Sequence, residues 1–219
     1  GYIDVAIKPK HVRDLENYSK VLDEYNFDFG QELLNRDEVR ETLGTEKYIG
    51  GLKINYNGHL HPLNLCIGEA DAASDLGVVI NEKSPVTKII HGAKPVVETS
   101  QGSVEADFVV LAGNAYHFLE PKLRGAVLPV KSFIIGSEPL STDLVNRINP
   151  QDLAVCDPNY ILEYFRLSAD KRLLFGRRFP YFGDNPDIIK KALMPKMLQV
   201  YPILKNTEFE FGWGGTIGV

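Results

Sequence analysis

One stretch constrains the fold more than any other. From Val104 to Tyr116 the chain reads Val-Glu-Ala-Asp-Phe-Val-Val-Leu-Ala-Gly-Asn-Ala-Tyr. A polar lead-in gives way to an apolar run, Phe108 to Ala112, which stops at Gly113 and Asn114. A short apolar run without alternation predicts a strand buried on both faces, as in a parallel sheet. Gly113 at its carboxyl end permits close backbone approach, and open α/β sheets bind ligands outside the carboxyl ends of their strands. The plainer reading is a core strand closed by a turn glycine.

The surrounding sequence supplies neighbours for such a strand. Val86–His91, Val96–Thr99 and Val104–Glu105 are strand-like pieces divided by Gly92-Ala-Lys-Pro95 and Gln101-Gly102, the pattern of a small antiparallel meander. Upstream, Pro62 suits the first position of a helix whose buried stripe is expected at Leu63, Cys66, Ala70 and Ala73, ending at Leu76-Gly77. Val78–Ile80 then reads as a short strand.

The flanks differ. Tyr2–Ile7 alternates like a strand, and Lys10–Tyr25 carries Val12, Leu15, Tyr18, Leu22 and Tyr25 at helical spacing. Asp37 is the expected N-cap of a helix ending near Gly44. Ala126–Gly136 is a long strand in which Pro129 argues for an edge or bulge. Tyr160–Leu167 and Arg172–Phe175 form a hairpin about Ser168–Lys171. Asn185-Pro186 caps a helix reaching about Tyr201, and Phe209–Trp213 is a last strand.

Composition narrows the class. Of 219 residues 44% are hydrophobic and 24% charged, with net charge −5. This is the balance of a soluble globular protein. The absence of a Lys/Arg-rich block argues against nucleic acid as a partner, and the apolar runs are too short to span a bilayer. Cys66 and Cys156 lack metal-ligand spacing and are expected to be reduced, buried thiols. Cytoplasm is the expected compartment. The chain opens directly on a strand pattern and closes in an apolar, glycine-rich stretch, which suggests a portion of a longer protein.

Chemistry is carried by few residues. No Gly-x-Gly-x-x-Gly, P-loop or metalloprotease helix is present. His59 and His61 form a His-x-His pair without a third ligand at suitable spacing, so a structural or supporting role outweighs metal binding and no metal is expected. In Tyr160-Ile-Leu-Glu-Tyr164-Phe-Arg166, alternation places Tyr160, Leu162, Tyr164 and Arg166 on one sheet face. A guanidinium beside phenols can clamp a carboxylate. The alternative is a solvated face with ordinary cross-strand pairing. Arg172, Arg177 and Arg178 are expected to be exposed or paired.

Taken in order, several segments resemble the FAD-dependent amine and D-amino-acid oxidase family. They are Gly58-His-Leu-His-Pro62 through Gly77-Val-Val-Ile80, then Ser84-Pro-Val86-Thr-Lys-Ile89, then Ala106–Tyr116. Ala126-Val-Leu-Pro-Val-Lys-Ser-Phe, Glu138-Pro-Leu, Tyr164-Phe-Arg166 with Arg172-Leu-Leu-Phe-Gly176, and Gly212-Trp-Gly-Gly-Thr-Ile-Gly218 complete the set. Within the family the likeness points toward the γ-glutamylputrescine oxidases. The family's dinucleotide fingerprint and its carboxyl-terminal flavin-contacting segment are not in these residues.

The resemblance implies an α+β fold. Residues 1–56 and 117–219 would form a mixed-sheet substrate domain with helices, and 57–116 an interior slice of an α/β FAD-binding domain. It implies FAD as cofactor, weakly held or absent in this chain alone, and a small-molecule amine or amino acid as substrate. By position, the Val86 backbone and Gly113 would meet FAD, His59 and His61 would lie toward the flavin ring, and Tyr164 and Arg166 would face the substrate. The products would be an imine and hydrogen peroxide. A non-catalytic domain binding a small anion through Arg166, or a plain interaction domain, is the alternative.

Overall fold

The computed structural model describes residues 1–116, 119–123, 125–178 and 185–219. In chain order the elements are β1 (Tyr2–Ala6), α1 (Pro9–Glu24), β2 (Gln31–Asn35), α2 (Arg36–Leu43), β3 (Gly50–Ile54), α3 (Pro62–Asp75), β4 (Val86–Ile90), β5 (Val96–Thr99) and β6 (Ser103–Glu105). There follow β7 (Pro129–Gly136), α4 (Thr142–Ile148), β8 (Ala154–Cys156), β9 (Glu163–Leu167), β10 (Leu173–Arg178), α5 (Pro186–Val200) and β11 (Phe211–Gly218). The fold is α+β. Among the described residues no helix is long and apolar enough to cross a membrane.

The chain divides into two compact units. One comprises Gly1–Leu60 with Lys131–Gly215, the other His61–Val130 with Thr216–Val219.

The first unit is built on a sheet of order β11-β7-β10-β9-β8-β1-β3-β2. It is mixed, because β1 runs parallel to β8 and antiparallel to β3. Alternation sorts its side chains onto two faces. Ile3, Val5, Val155, Phe165, Leu167, Leu173, Phe175, Phe133 and Ile135 point into one core with α2, α4 and α5, which contribute Val39, Leu43, Ile148, Leu193 and Met197. Phe165 stacks on Phe175 at 5.9 Å and meets Tyr201 edge-on at 5.5 Å. Burying each such ring contributes about 1.5–3 kcal/mol. The opposite face is covered by α1 only at the β1–β3 end, where Leu15 and Leu22 pack on Leu52 and Ile54.

Local sequence signals set most boundaries, with informative exceptions. On α1 the buried line is Val12, Leu15, Ser19 and Leu22, while Tyr18 is exposed and Tyr25 is 81% exposed. The inward stripe thus runs one position off the tyrosines, whose phenols favour the wet side. The cap of α2 is Asn35, not Asp37. Asn35 Oδ1 accepts from the N–H groups of Asp37 and Glu38, and Glu38 returns a bond to the Asn35 N–H at 2.7 Å. This capping box is available to Asn35 because Glu38 stands three residues on. Pro129 is the first residue of β7, which lies between β11 and β10. The first strand position tolerates proline without an edge or bulge.

The second unit contains α3 and the antiparallel meander β4-β5-β6. Here the apolar pattern misleads. The run Phe108–Ala112 is not a strand, and Phe108 and Val110 are 88% and 86% exposed. Val78–Ile80 likewise is not a strand and is exposed. Helix α3 buries none of its residues, so the stripe Leu63, Cys66, Ala70, Ala73 is not a core face and the Cys66 thiol is exposed. A strand exists through hydrogen-bonded neighbours, and beyond Ala106, whose N–H reaches Pro95 O at 3.1 Å, no strand among the described residues meets the run.

Candidate active site

The half-buried face of the large sheet gathers the polar chemistry of the first unit. Hairpin β9–β10 supplies its centre. Glu163, Phe165 and Leu167 point to the core, so Tyr164 and Arg166 point the other way. The strand begins only at Glu163, because Asp157 Oδ1 accepts from the N–H groups of Asn159 and Glu163 and holds the intervening chain out of the ladder. Tyr160 is therefore 96% exposed in a bend and does not extend the face.

Register fixes the neighbours. Cys156 lies opposite Tyr164 and Asp4 opposite Cys156, while Gly176 lies opposite Tyr164 on the other side and Ser132 opposite Arg178. The Tyr164 ring lies across Gly176, where a Cβ would stand 2.2 Å from two ring carbons. Its phenol shares a hydrogen bond with Ser132 Oγ at 2.8 Å. Burial pushes the Tyr164 phenol up, against opposing effects of the Ser132 hydrogen bond and the Arg178 charge, so it stays a neutral donor. Burial also pushes up the Cys156 thiol, and the Asp4 carboxylate beside it acts in the same direction. That makes Cys156 a poor nucleophile.

The Arg166 guanidinium donates to Leu167 O at 3.1 Å and stands 3.5 Å from His59 Nδ1. The other His59 nitrogen, Nε2, lies 3.0 Å from Asp152 O. Among the described residues no carboxylate pairs with Arg166. Arg178, on the same face, likewise has no ion pair among the described residues, whereas the other two arginines of this hairpin are paired. Arg172 binds Asp170 and Glu210, and Arg177 binds the buried Glu163 at 3.2 Å, which also receives Lys47 at 2.5 Å. Arg166 is thus left able to take a bidentate anion.

The remaining expected site residues fall elsewhere. His61 caps α3, its Nδ1 accepting from the Asn64 N–H at 3.2 Å. Val86 opens β4, next to a register shift before Lys88. Gly113 sits in a tight turn rather than at a strand end: its carbonyl accepts from the Tyr116 N–H at 2.7 Å, and a Cβ there would lie 3.1 Å from Tyr116 O. His61, Val86 and Gly113 belong to the second unit, and Arg166, Tyr164 and His59 to the first. Ser132, Gly176 and Asp4 escape sequence reasoning. Only Asp4 leaves a signal, a carboxylate in a strand otherwise apolar on both sides.

A family model described as FAD dependent oxidoreductase (DAO) matches residues 1–219. Gamma-glutamylputrescine oxidoreductase of Escherichia coli K12 is 38% identical over 217 residues, covering 98% of this chain and 51% of that protein. Probable oxidoreductase OrdL of Haemophilus influenzae is 39% identical, covering 99% and 51%. The chain spans about half the length of the curated relatives it matches. Among solved structures, glycine oxidase of Geobacillus kaustophilus superposes with a TM-score of 0.81 at 21% identity, over 100% of this chain and 58% of that one. L-proline dehydrogenase of P. horikoshii gives 0.80 at 17%, over 98% and 59%. At these identities the structural likeness speaks for fold.

Proposed function

Because this chain belongs to the FAD-dependent oxidoreductase (DAO) family, we propose that the protein it forms part of oxidises a C–N bond of a small amine or amino acid. The carbon bearing nitrogen loses hydride and the nitrogen a proton, giving an imine, and molecular oxygen takes up the two electrons as hydrogen peroxide. The single observation that supports a carboxylate-bearing substrate is Arg166, which has no carboxylate partner among the described residues and stands on the open sheet face beside Tyr164. The best candidate is a γ-glutamylputrescine-like amine, which fits both this guanidinium and the name of the Escherichia coli relative.

In this reading, residues 1–56 and 117–219 are the substrate domain and 57–116 a slice of the FAD domain. The exposed apolar side chains of Val78–Ile80, Phe108 and Val110 fit contact with a large aromatic cofactor or the layer that carries it. The Val86 backbone and Gly113 are the residues proposed to meet FAD, with His59 and His61 toward its ring. No Gly-x-Gly-x-x-Gly in these 219 residues fits the pyrophosphate. When bound, flavin supplies the hydride acceptor. The chain's own part is to bind and orient. Arg166 grips the carboxylate, Tyr164 donates a hydrogen bond from a phenol that stays neutral, and His59 stands against the Arg166 guanidinium.

The full-length protein, isolated with its flavin, tests this. A peroxidase-coupled assay should detect peroxide with a carboxylate-bearing amine. Arg166→Ala should raise KM for that amine about 10–100-fold, the worth of a lost charged hydrogen-bond pair, and leave flavin content unchanged. A colourless protein that yields no peroxide with any amine refutes the oxidase reading. Loss of flavin with unchanged KM refutes the placement of Arg166.

A further inference from the structure

Opposite charges stand on the same face of the large sheet without a counter-ion among the described residues. Two are guanidiniums, Arg166 and, on β10 two residues past Gly176, Arg178. The other is Asp4, in the middle of β1, whose carboxylate receives one hydrogen bond, from the Tyr2 phenol at 2.6 Å. They do not neutralise each other. Asp4 lies opposite Cys156, Cys156 opposite Tyr164, and Arg166 two residues along from Tyr164. Two strand spacings and one pleat repeat separate the backbones by on the order of 10 Å. The strand between them, β8, presents only the small side chains Ala154 and Cys156 on this face.

A partly desolvated carboxylate without a cation is costly. Burial pushes the Asp4 carboxyl up and the Tyr2 bond only partly opposes this; the neighbouring groups it faces are Tyr2 and the Cys156 thiol, the Arg178 charge acts on that thiol, and among the described residues no ammonium or guanidinium pairs with Asp4. On the α1 side, Leu15 and Leu22 pack over Leu52, the cross-strand neighbour of Asp4. An acid held this way is completed by a cation from outside. Its distance from an equally uncompensated guanidinium specifies a ligand with both charges.

We propose that Asp4, oriented by Tyr2, is an ammonium-binding subsite, so that this sheet face takes a dipolar substrate with its cationic nitrogen on Asp4 and its carboxylate on Arg166. The proposal rests on reading Arg166 as the carboxylate grip. It narrows the substrate class to chain-like amino acids or aminoacyl amines with well-separated charges. Amines that carry no acid fall outside it.

The test is binding to the full-length protein under anaerobic conditions, read by calorimetry. The probes are unbranched ω-amino acids of increasing length and alkyl monocarboxylates of the same lengths. An ω-amino acid of matching length is expected to bind about tenfold or more tighter than its alkyl counterpart, the worth of one charged hydrogen bond. Asp4→Asn should erase that preference and leave the alkyl carboxylate affinity unchanged, which also reports an intact fold. Tyr2→Phe should weaken the preference several-fold, and Arg166→Ala should weaken both ligand series. Equal binding of the two series by the unmodified protein overturns the proposal, as does an equal loss of both in Asp4→Asn. The expected pattern in a protein that makes no peroxide would keep the subsite and sink the oxidase reading. Peroxide formation with binding indifferent to Asp4 would do the reverse.

Discussion

Replacing Gly176 by alanine asks whether the Tyr164 ring is seated on the sheet as the site requires. The two residues are cross-strand partners. An added Cβ would lie 2.2 Å from two ring carbons and 2.7 Å from the phenolic oxygen. The backbone cannot yield, because the adjacent pair Phe165–Phe175 is locked in the core. The ring must swing away instead, which breaks its 2.8 Å hydrogen bond to Ser132. That loss costs about 1 kcal/mol and the crowding about 1–3 kcal/mol. Removing a glycine from the unfolded chain offsets about 0.4–1 kcal/mol. The net expectation is a destabilisation of about 1–3.6 kcal/mol, read as a lower urea midpoint with an unchanged slope. The decisive measurement is the same substitution in a Tyr164→Ala background. With the ring gone, Gly176→Ala should be neutral or slightly stabilising, a coupling expected only for residues in contact. Equal destabilisation in both backgrounds refutes the clash and with it the account of how Tyr164 is held.

Two further expectations concern the frame around the site. Glu163 is 4% exposed and bonds both Lys47 and Arg177; Glu163→Gln removes the buried charge that these two cations share and should cost about 3–5 kcal/mol in a denaturant titration, so a loss under 1 kcal/mol would show that the cluster is solvated. Asn35→Ala should cost about 1 kcal/mol by the same measurement, whereas Asp37→Ala should cost only tenths, since the cap is Asn35; the reverse order would restore Asp37 as the cap.

The legible parts of this sequence are those in which period and burial agree. Of the strand expected over Tyr160–Leu167 the second half holds, because Glu163, Phe165 and Leu167 alternate with Tyr164 and Arg166, and this alone puts the candidate carboxylate grip on the open face. The meander reads correctly because its turns carry glycine and proline. Strand β2, Gln31–Asn35, escapes because it is an edge strand of mostly polar residues, half of whose backbone faces no partner. Strand β8 is three residues long and α4 seven, too short for either period to show. Ser132 and Gly176 become site residues only through register, which no local pattern encodes.

The run Phe108–Ala112 shows what an apolar pattern does measure. Its composition states a demand for burial on both faces, and so do Val78–Ile80 and the leucines of α3. In the first unit the same kind of demand is met: Ile3 and Val5 on β1 are fully buried because β3 and β8 flank the strand and helices cover its face. In the second unit it is not met. Phe108, Val110, Val79 and Leu76 all stand exposed, while the meander beside them is paired throughout. Hydrogen-bonded pairing and apolar covering are therefore separable here, and only the first is satisfied by residues close in sequence. Large contiguous apolar exposure marks a surface that another layer covers. That unmet demand, more than any single glycine, supports assigning the segment around Gly113 to a nucleotide-binding layer. Gly113 itself is explained without a ligand, by the close approach of the Tyr116 carbonyl in its turn.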